Sequence, residues 1–228
     1  MLSILRKIKW LYCRDLFFYS DLPETSMGED VQFFIQASKC FPHAEPFFTT
    51  VIDLQLDADV ILKAIKKGFS YEIRRAADKD LISAGIIDKP TTQDVEDFSS
   101  FYDLFAGSKG LAQANRPKLK ELAKKAALVL SVASSGQDEG EWLSGHAYIC
   151  DGQRARLLYS ASNAALVTKG DRQLVGRANK YLHWHMILHF KRYSYLQYDF
   201  GGISKRAELR YIDEFKESFG GQELLEYN

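Results

Sequence analysis

No stretch of this chain stays apolar for the ~18 residues that a bilayer crossing needs. Arg6, Lys7 and Lys9 also interrupt the N-terminal run that would otherwise resemble a signal peptide. A cytoplasmic location is therefore expected. Cysteine is scarce: Cys13, Cys40 and Cys150 are far apart and odd in number, which fits neither a disulfide framework nor a zinc ribbon and points to a reducing compartment. Neither sign of charge is in excess, with 30 basic against 30 acidic residues, so the chain offers no bulk positive field for duplex DNA. Internal repeats and low-complexity tracts are absent as well.

What is present is ordinary globular composition, 46% hydrophobic and 26% charged over 228 residues, enough for one large domain with or without an extension. Residues 1–50 are punctuated by Pro23, Gly28, Pro42 and Pro46 and read as an irregular N-terminal extension; residues 51–228 read as the domain proper. Leu5, Ile8, Leu11 and Tyr12 sit beside basic residues, a pattern suited either to packing on the domain or to peripheral contact with the inner face of an acidic membrane.

Periodicity supplies the element order. Phe47 to Leu56 reads as a strand, Ala58 to Lys67 and Phe69 to Lys79 as helices, and Thr92 to Phe105 as a helix capped by Thr92, with an apolar stripe of Val95, Phe98, Phe101, Tyr102 and Phe105. Pro117 opens another helix, to Ala127. Leu128–Ala133, Trp142–Cys150 and Ala155–Ala161 then alternate as strands, the last two joined at Asp151-Gly152. A helix from Leu174 to Arg192, a strand from Tyr195 to Phe200 and a helix from Ser204 to Phe219 follow. This order predicts an α+β fold with one mixed, mostly antiparallel sheet, and the strand–helix–strand step from 155 to 200 predicts one parallel pair.

Ahead of and within the longest helix lies Gln173-Leu174-Val175-Gly176-Arg177-Ala178-Asn179. A helix start with little side-chain bulk exposes unpaired N–H groups to which a pyrophosphate can bond. The pattern Gln173-x-x-Gly176-x-Ala178 is similar to the loop by which GNAT acyltransferases hold coenzyme A, so these seven residues are candidate donor-binding residues; the competing explanation is a helix start whose small residues allow close packing. Further motifs add to the likeness: Ile73-Arg74-Arg75-Ala76, Trp184 on the long helix, Tyr198-Asp199-Phe200-Gly201-Gly202, and Phe215-Lys216 before Phe219-Gly220. Together they resemble Fem-type aminoacyltransferases over residues 50 to 221. That resemblance implies a splayed GNAT-like sheet flanked by helices, a donor in the gap between two strands, an amine on a peptide or glycoconjugate as acceptor, and in some cases aminoacyl-tRNA as donor. Cross-bridge enzymes of that kind resemble two such domains in tandem, whereas this chain has room for one.

Acyl transfer to an amine needs a route for the amine proton, a group that polarises the carbonyl and help for the leaving group. Asp199 is a candidate to orient or deprotonate the amine, with bonding to the Gly201-Gly202 turn as the alternative. His146, with Tyr148 on the same strand face, is a candidate for proton transfer, and Tyr148 for substrate contact. Lys216 stands where many GNAT enzymes carry a tyrosine acid and would stabilise developing negative charge; Tyr211 is a second candidate acid. Arg74 and Arg75 are candidates for an acceptor phosphate or carboxylate. His185 and His189 have chelating spacing but no acidic or cysteine partner at a recognised interval, so no metal is expected. The expectation is an N-acyltransferase that takes acyl-CoA, such as acetyl-CoA, as donor and the amine of an amino sugar or cell-envelope precursor as acceptor. Two alternatives accompany it: an aminoacyl-tRNA-dependent, peptidoglycan-type aminoacyltransferase, and a non-catalytic domain that binds a glycan or a protein.

Overall fold

The computed structural model describes residues 2–19, 28–135, 141–166 and 168–228, so Pro23 lies outside the described residues. In chain order the elements are β1 (Leu2–Ile8), β2 (Leu11–Phe17), β3 (Val31–Ile35), β4 (Pro46–Asp53), α1 (Ala58–Ala64), α2 (Lys67–Asp78), β5 (Ile82–Ile87), α3 (Thr92–Lys109) and α4 (Arg116–Lys124). They continue with β6 (Leu128–Ser135), β7 (Trp142–Cys150), β8 (Arg154–Ser162), α5 (Lys169–Arg192), β9 (Gln197–Gly202), a 3₁₀ turn (Ala207–Leu209), α6 (Arg210–Glu217) and β10 (Gln222–Tyr227).

Local chemistry sets the helix ends. α3 opens on a capping box in which the Thr91 hydroxyl accepts from the Asp94 amide and the Asp94 carboxylate accepts from the Thr91 amide, so the cap is Thr91 and not Thr92. Val95, Phe98, Tyr102 and Ala106 recur on its buried face, and Gly110, at φ 65°, ends it in the left-handed conformation. Asn115 caps α4, with Pro117 in its first turn. α5 starts at a second capping box, Thr168 with Asp171, five residues before the start that periodicity indicates.

Seven strands form the main sheet in the order β10-β4-β9-β8-β7-β6-β5. Each neighbouring pair is antiparallel except β8–β9, the expected parallel pair. The α+β, GNAT-like architecture with a mostly antiparallel, splayed sheet is what the structure shows. One face is covered by α1, α2, α5 and α6, whose Ile61, Ile73, Leu182, Met186 and Phe219 join a single buried cluster. On the other face Val95, Phe98, Leu119 and Leu122 from α3 and α4 pack with Ile4 and Phe17. Residues 1–50 differ from the irregular segment expected. β1, β2 and β3 form a three-stranded sheet, with β2–β3 parallel, and an Ala37–Tyr227 bridge ties it to the main sheet. The reason is that Leu2, Ile4, Cys13 and Phe17 supply an alternating apolar face that buries on α3 and α4. At the far end of that hairpin Leu5, Ile8, Trp10 and Tyr12 are exposed next to Lys7 and Lys9.

The β8–β9 pair governs the shape of the sheet. Its register runs for three positions, Arg154–Gln197, Ala155–Tyr198 and Arg156–Asp199, and stops, although β8 continues to Ser162 and β9 to Gly202. Each strand carries an irregularity just beyond that point. On β8, Ala147 and Tyr148 pair with Tyr159 and Leu157, so Leu158 is an extra residue against β7. On β9, Thr49 and Val51 pair with Gly202 and Asp199, which leaves one more residue on β9 than on β4. Gly201 sits in that bulge at φ 75°, a conformation that a side chain would strain, and a Cβ there would meet the Leu157 carbonyl oxygen at 3.1 Å. Bulges bend the strands that carry them. Two of them on facing strands turn β8 and β9 apart into a wedge whose crotch is Arg156 and Asp199.

Candidate functional site

The crotch is built around one carboxylate. Asp199, fully buried on β9, accepts from the backbone amide of Gly201 at 2.7 Å, from Gln36 Nε2 at 2.9 Å, from Arg154 Nε at 3.0 Å and Nη2 at 2.6 Å, and from the Thr49 hydroxyl. Glu226 on β10 completes the cluster, accepting from Arg154 Nη1 at 2.5 Å and Nη2 at 2.8 Å and from Gln36 Nε2 at 2.9 Å. Burial works to raise the Asp199 pKa, but the adjacent Arg154 and Arg156 charges and these hydrogen bonds outweigh it and hold the carboxyl below its usual range. Both oxygens are fully engaged, which leaves no lone pair for an amine proton. The expected role as orienting group or base therefore has no room here, while the turn-bonding alternative, Asp199 to Gly201, is present. On the paired side of this cluster lies a cavity of about 580 Å³ lined by Gln36, Asp53, Gln153, Arg154 and Glu226, among others.

Lys216, on α6, reaches the end of β9. Its Nζ donates to the carbonyl oxygen of Gly201 at 3.3 Å and to that of Gly202, so the bulge presents two carbonyls to one ammonium and leaves one N–H uncommitted. Burial pulls the Lys216 pKa down, opposed by the charges of Asp213 and Asp199. Tyr211, from the same helix, is 68% exposed and points away from the packed face, so it is not brought to this point.

His146 and Tyr148 are at a different place, inside the core under α5. His146 Nε2 lies 2.7 Å from Asn179 Oδ1, its Nδ1 lies 2.8 Å from the Tyr148 hydroxyl, Tyr148 bonds Tyr198 at 3.0 Å, and Tyr198 bonds His183 Nδ1 at 2.6 Å. Asn179 Oδ1 can only accept, which makes His146 Nε2 the donor and Nδ1 the acceptor from Tyr148. Burial pushes the His146 pKa down to about 4, with the Asn179 bond opposing, and takes His183 well below its ordinary value. A neutral imidazole with both nitrogens bonded and no exposed surface cannot serve an incoming amine, so the expected proton-transfer role of His146 and substrate contact of Tyr148 give way to a buried network.

The seven residues expected to hold a pyrophosphate are all inside α5. Because the Thr168–Asp171 box starts the helix at Lys169, the amides of 173–179 are committed to helical bonds. Their side chains diverge: Val175 and Ala178 are buried, Leu174 packs on the core, Arg177 pairs with Asp80, Asn179 bonds His146, and Gln173 and Gly176 face outward. The Asp171 carboxylate also occupies the helix start where an anion would sit. These residues do not fit a coenzyme A pyrophosphate as that loop motif holds one. Arg74 and Arg75 lie exposed on α2, Arg75 with Asp80 3.8 Å away. Among the described residues no group of three or more His, Cys, Asp or Glu side chains is arranged to hold a metal ion, and no helix is long and apolar enough to cross a membrane.

Sequence reasoning missed Arg154, Arg156, Gln36, Thr49 and Glu226. One signal was available: two arginines at i and i+2 on a strand share a face, and a face with two guanidinium groups has to meet acids or ligands.

No protein-family model matches the chain, and no curated protein does. Solved structures do. FemX aligns at TM-score 0.61 with 13% identity over 77% of this chain and 59% of its own. The C-terminal domain of an Agrobacterium fabrum protein assigned as a lysylphosphatidylglycerol synthetase aligns at 0.57, with 13% identity over 85% and 65%. L-PGS from Bacillus licheniformis aligns at 0.55, with 13% identity over 86% and 67%. The chain thus spans about three-fifths to two-thirds of the length of these proteins, and at such identity the likeness is one of fold: the splayed sheet is an acyltransferase architecture of the GNAT and Fem kind.

The buried histidines set a pH dependence. Unfolded, His146 and His183 take up protons near pH ~6.5; folded, His146 resists until about pH 4 and His183 does so more strongly. Between those values the unfolded chain binds more protons, so stability falls as pH falls, by on the order of 3 kcal/mol for His146 alone. Urea unfolding at pH 7, 5.5 and 4 is expected to show this loss, with a shallower slope for His146→Gln. A wild-type profile flat from pH 7 to 4 would contradict the buried, neutral assignment.

Proposed function

We propose that this chain is an aminoacyl-transfer domain, in which an amine acceptor attacks an aminoacyl ester, such as that of aminoacyl-tRNA, in the wedge between β8 and β9. The observation that carries this reading is the wedge with an ammonium at its mouth: two facing bulges part the strands, and the Lys216 amine is anchored on the Gly201 and Gly202 carbonyls beside the gap. In the step itself the acceptor nitrogen forms the new C–N bond, the ester C–O bond breaks, the departing oxygen takes a proton, and the amine loses one to water. Lys216 donates its free N–H toward the carbonyl oxygen as negative charge gathers there.

Two considerations favour an aminoacyl ester over acyl-CoA as donor. The helical amides of 173–179 offer no pyrophosphate cradle. The structures of like fold include FemX and proteins named for lysylphosphatidylglycerol synthesis, a lysyl-transfer product. The acceptor is an amine on a small molecule or glycoconjugate, and the exposed hairpin tip with Trp10, Ile8 and Tyr12 beside Lys7 and Lys9 suits contact with an anionic membrane surface.

Incubation with aminoacyl-tRNA carrying a labelled amino acid, and separately with labelled acetyl-CoA, against a panel of amines should give ribonuclease-sensitive label transfer from the first donor. Lys216→Met should lower that rate by about 100-fold or more, the scale seen for one lost oxyanion donor. Transfer from acetyl-CoA alone would overturn the donor, and transfer undiminished in Lys216→Met would overturn the site. Vesicle flotation tests the hairpin: the wild-type chain should float with phosphatidylglycerol vesicles and Trp10→Glu should float less, whereas equal recovery of both excludes that surface.

A further inference from the structure

Arg156 is a cation without a partner. It stands on β8 at the last position that pairs with β9, opposite Asp199, and its side chain lies on the same face as that carboxylate. Its Nε is buried with no hydrogen-bond acceptor. Its guanidinium carbon sits 5.8 Å from the centre of the Phe47 ring, and its Nη2 lies 4.0 Å from where a Cβ of Gly201 would be. No carboxylate among the described residues pairs with it, and the acids nearest to hand are already saturated. Asp199 accepts from five donor groups and Glu226 from three, with Arg154 and Gln36 taking the shared oxygens. Asp213 is engaged by Ser204 and by the Lys205 amide.

A guanidinium in that position costs the fold several kcal/mol of lost hydration unless an anion compensates it. Its neighbour Arg154, two residues away on the same face, shows what compensation looks like, with two carboxylates gripping it from both sides. The same strand thus holds one arginine that is fully neutralised within the protein and one that is not, and the unsatisfied one is the one at the crotch of the wedge. Lys216 lies close enough for the two positive charges to oppose each other.

We propose that Arg156 anchors an oxyanion, a carboxylate or a phosphate, of the ligand that enters the wedge, and so sets a requirement for an anionic group near the reacting amine or ester. This rests on the wedge being the transfer site. The planar fork matches either oxyanion with two parallel N–H bonds, which lysine cannot reproduce. Arg156 is a binding and positioning residue in this account, and the electrostatic pull of Arg156 and Lys216 together selects against acceptors whose only charge is the amine.

The test uses the full chain, with sodium phosphate and sodium acetate titrated at ionic strength matched by chloride, and follows the arginine Nε–H resonances and the melting temperature. One of the two anions should shift the Arg156 Nε–H resonance and raise the melting temperature of the wild type, and which of them does so identifies phosphate or carboxylate. Arg156→Met should bind that anion at least tenfold more weakly and Arg156→Lys should fall between. In chloride alone Arg156→Met should melt at or above the wild-type temperature, because a buried unpaired charge has been removed. An Arg156→Met that melts well below wild type or fails to fold, anion binding unchanged in the variants, or no binding of either anion to the wild type each overturns the inference. Anion binding at Arg156 in a protein that transfers no aminoacyl group sinks the functional reading and spares this one; aminoacyl transfer undisturbed by Arg156→Met does the reverse.

Discussion

A single ionised carboxylate, Asp199, joins five separate parts of the chain. Its oxygens take hydrogen bonds from β8, through Arg154, from β4, through Thr49, from the segment after β3, through Gln36, and from its own bulge at Gly201. Arg154 carries the connection on to Glu226 in β10. Removing one member of such a cluster leaves a buried charge uncompensated, a loss on the order of 3–5 kcal/mol. The cluster pins β8 to β9 at their paired ends, and it does so at the position beyond which they cease to pair. The wedge therefore has a rigid base while its two limbs follow their bulges outward.

That arrangement separates structure from chemistry along a few residues of one strand pair. Below the crotch the charges are neutralised within the protein. At and above it stand Arg156 and Lys216, one without an acceptor and one with a donor to spare. Positive groups with free valence beside a gap between strands are what transfer of an acyl group requires for holding an anionic ligand and for meeting the oxyanion that forms. The histidines, which chemistry alone would nominate first, are spent on the core: His146 and His183 terminate a buried chain through Tyr148 and Tyr198 that fastens α5 to the sheet.

Much of the fold was legible because its elements are strongly patterned. The α3 stripe, the meander from β6 to β8 with its Asp151-Gly152 turn, and the parallel return through α5 to β9 all follow from spacing and turn residues. The short strands β5 and β10 and the N-terminal sheet were not legible, since their residues satisfy no local period long enough to stand out and acquire a strand conformation by pairing with distant partners. The site was legible only in part. Lys216 falls at the wedge, but the start of α5 was misjudged by five residues because Thr168 and Asp171 form a capping box that outranks the apolar period beginning at Leu174. That shift turns a would-be phosphate loop into helix interior. Arg154 and Arg156 carry no distinguishing mark in sequence beyond their i, i+2 spacing, and what separates them is the presence or absence of carboxylates brought from elsewhere in the chain.

Amide hydrogen exchange along β8 measures the open wedge most directly. On this account the amides of Arg154 to Arg156 and those of 157–162 that turn toward β7 are slow, while those of 157–162 that turn toward β9 exchange many times faster because no strand meets them. Uniformly slow exchange across residues 157–162 would mean that β8 and β9 close into a continuous ladder, and the account of a ligand-holding wedge would be wrong.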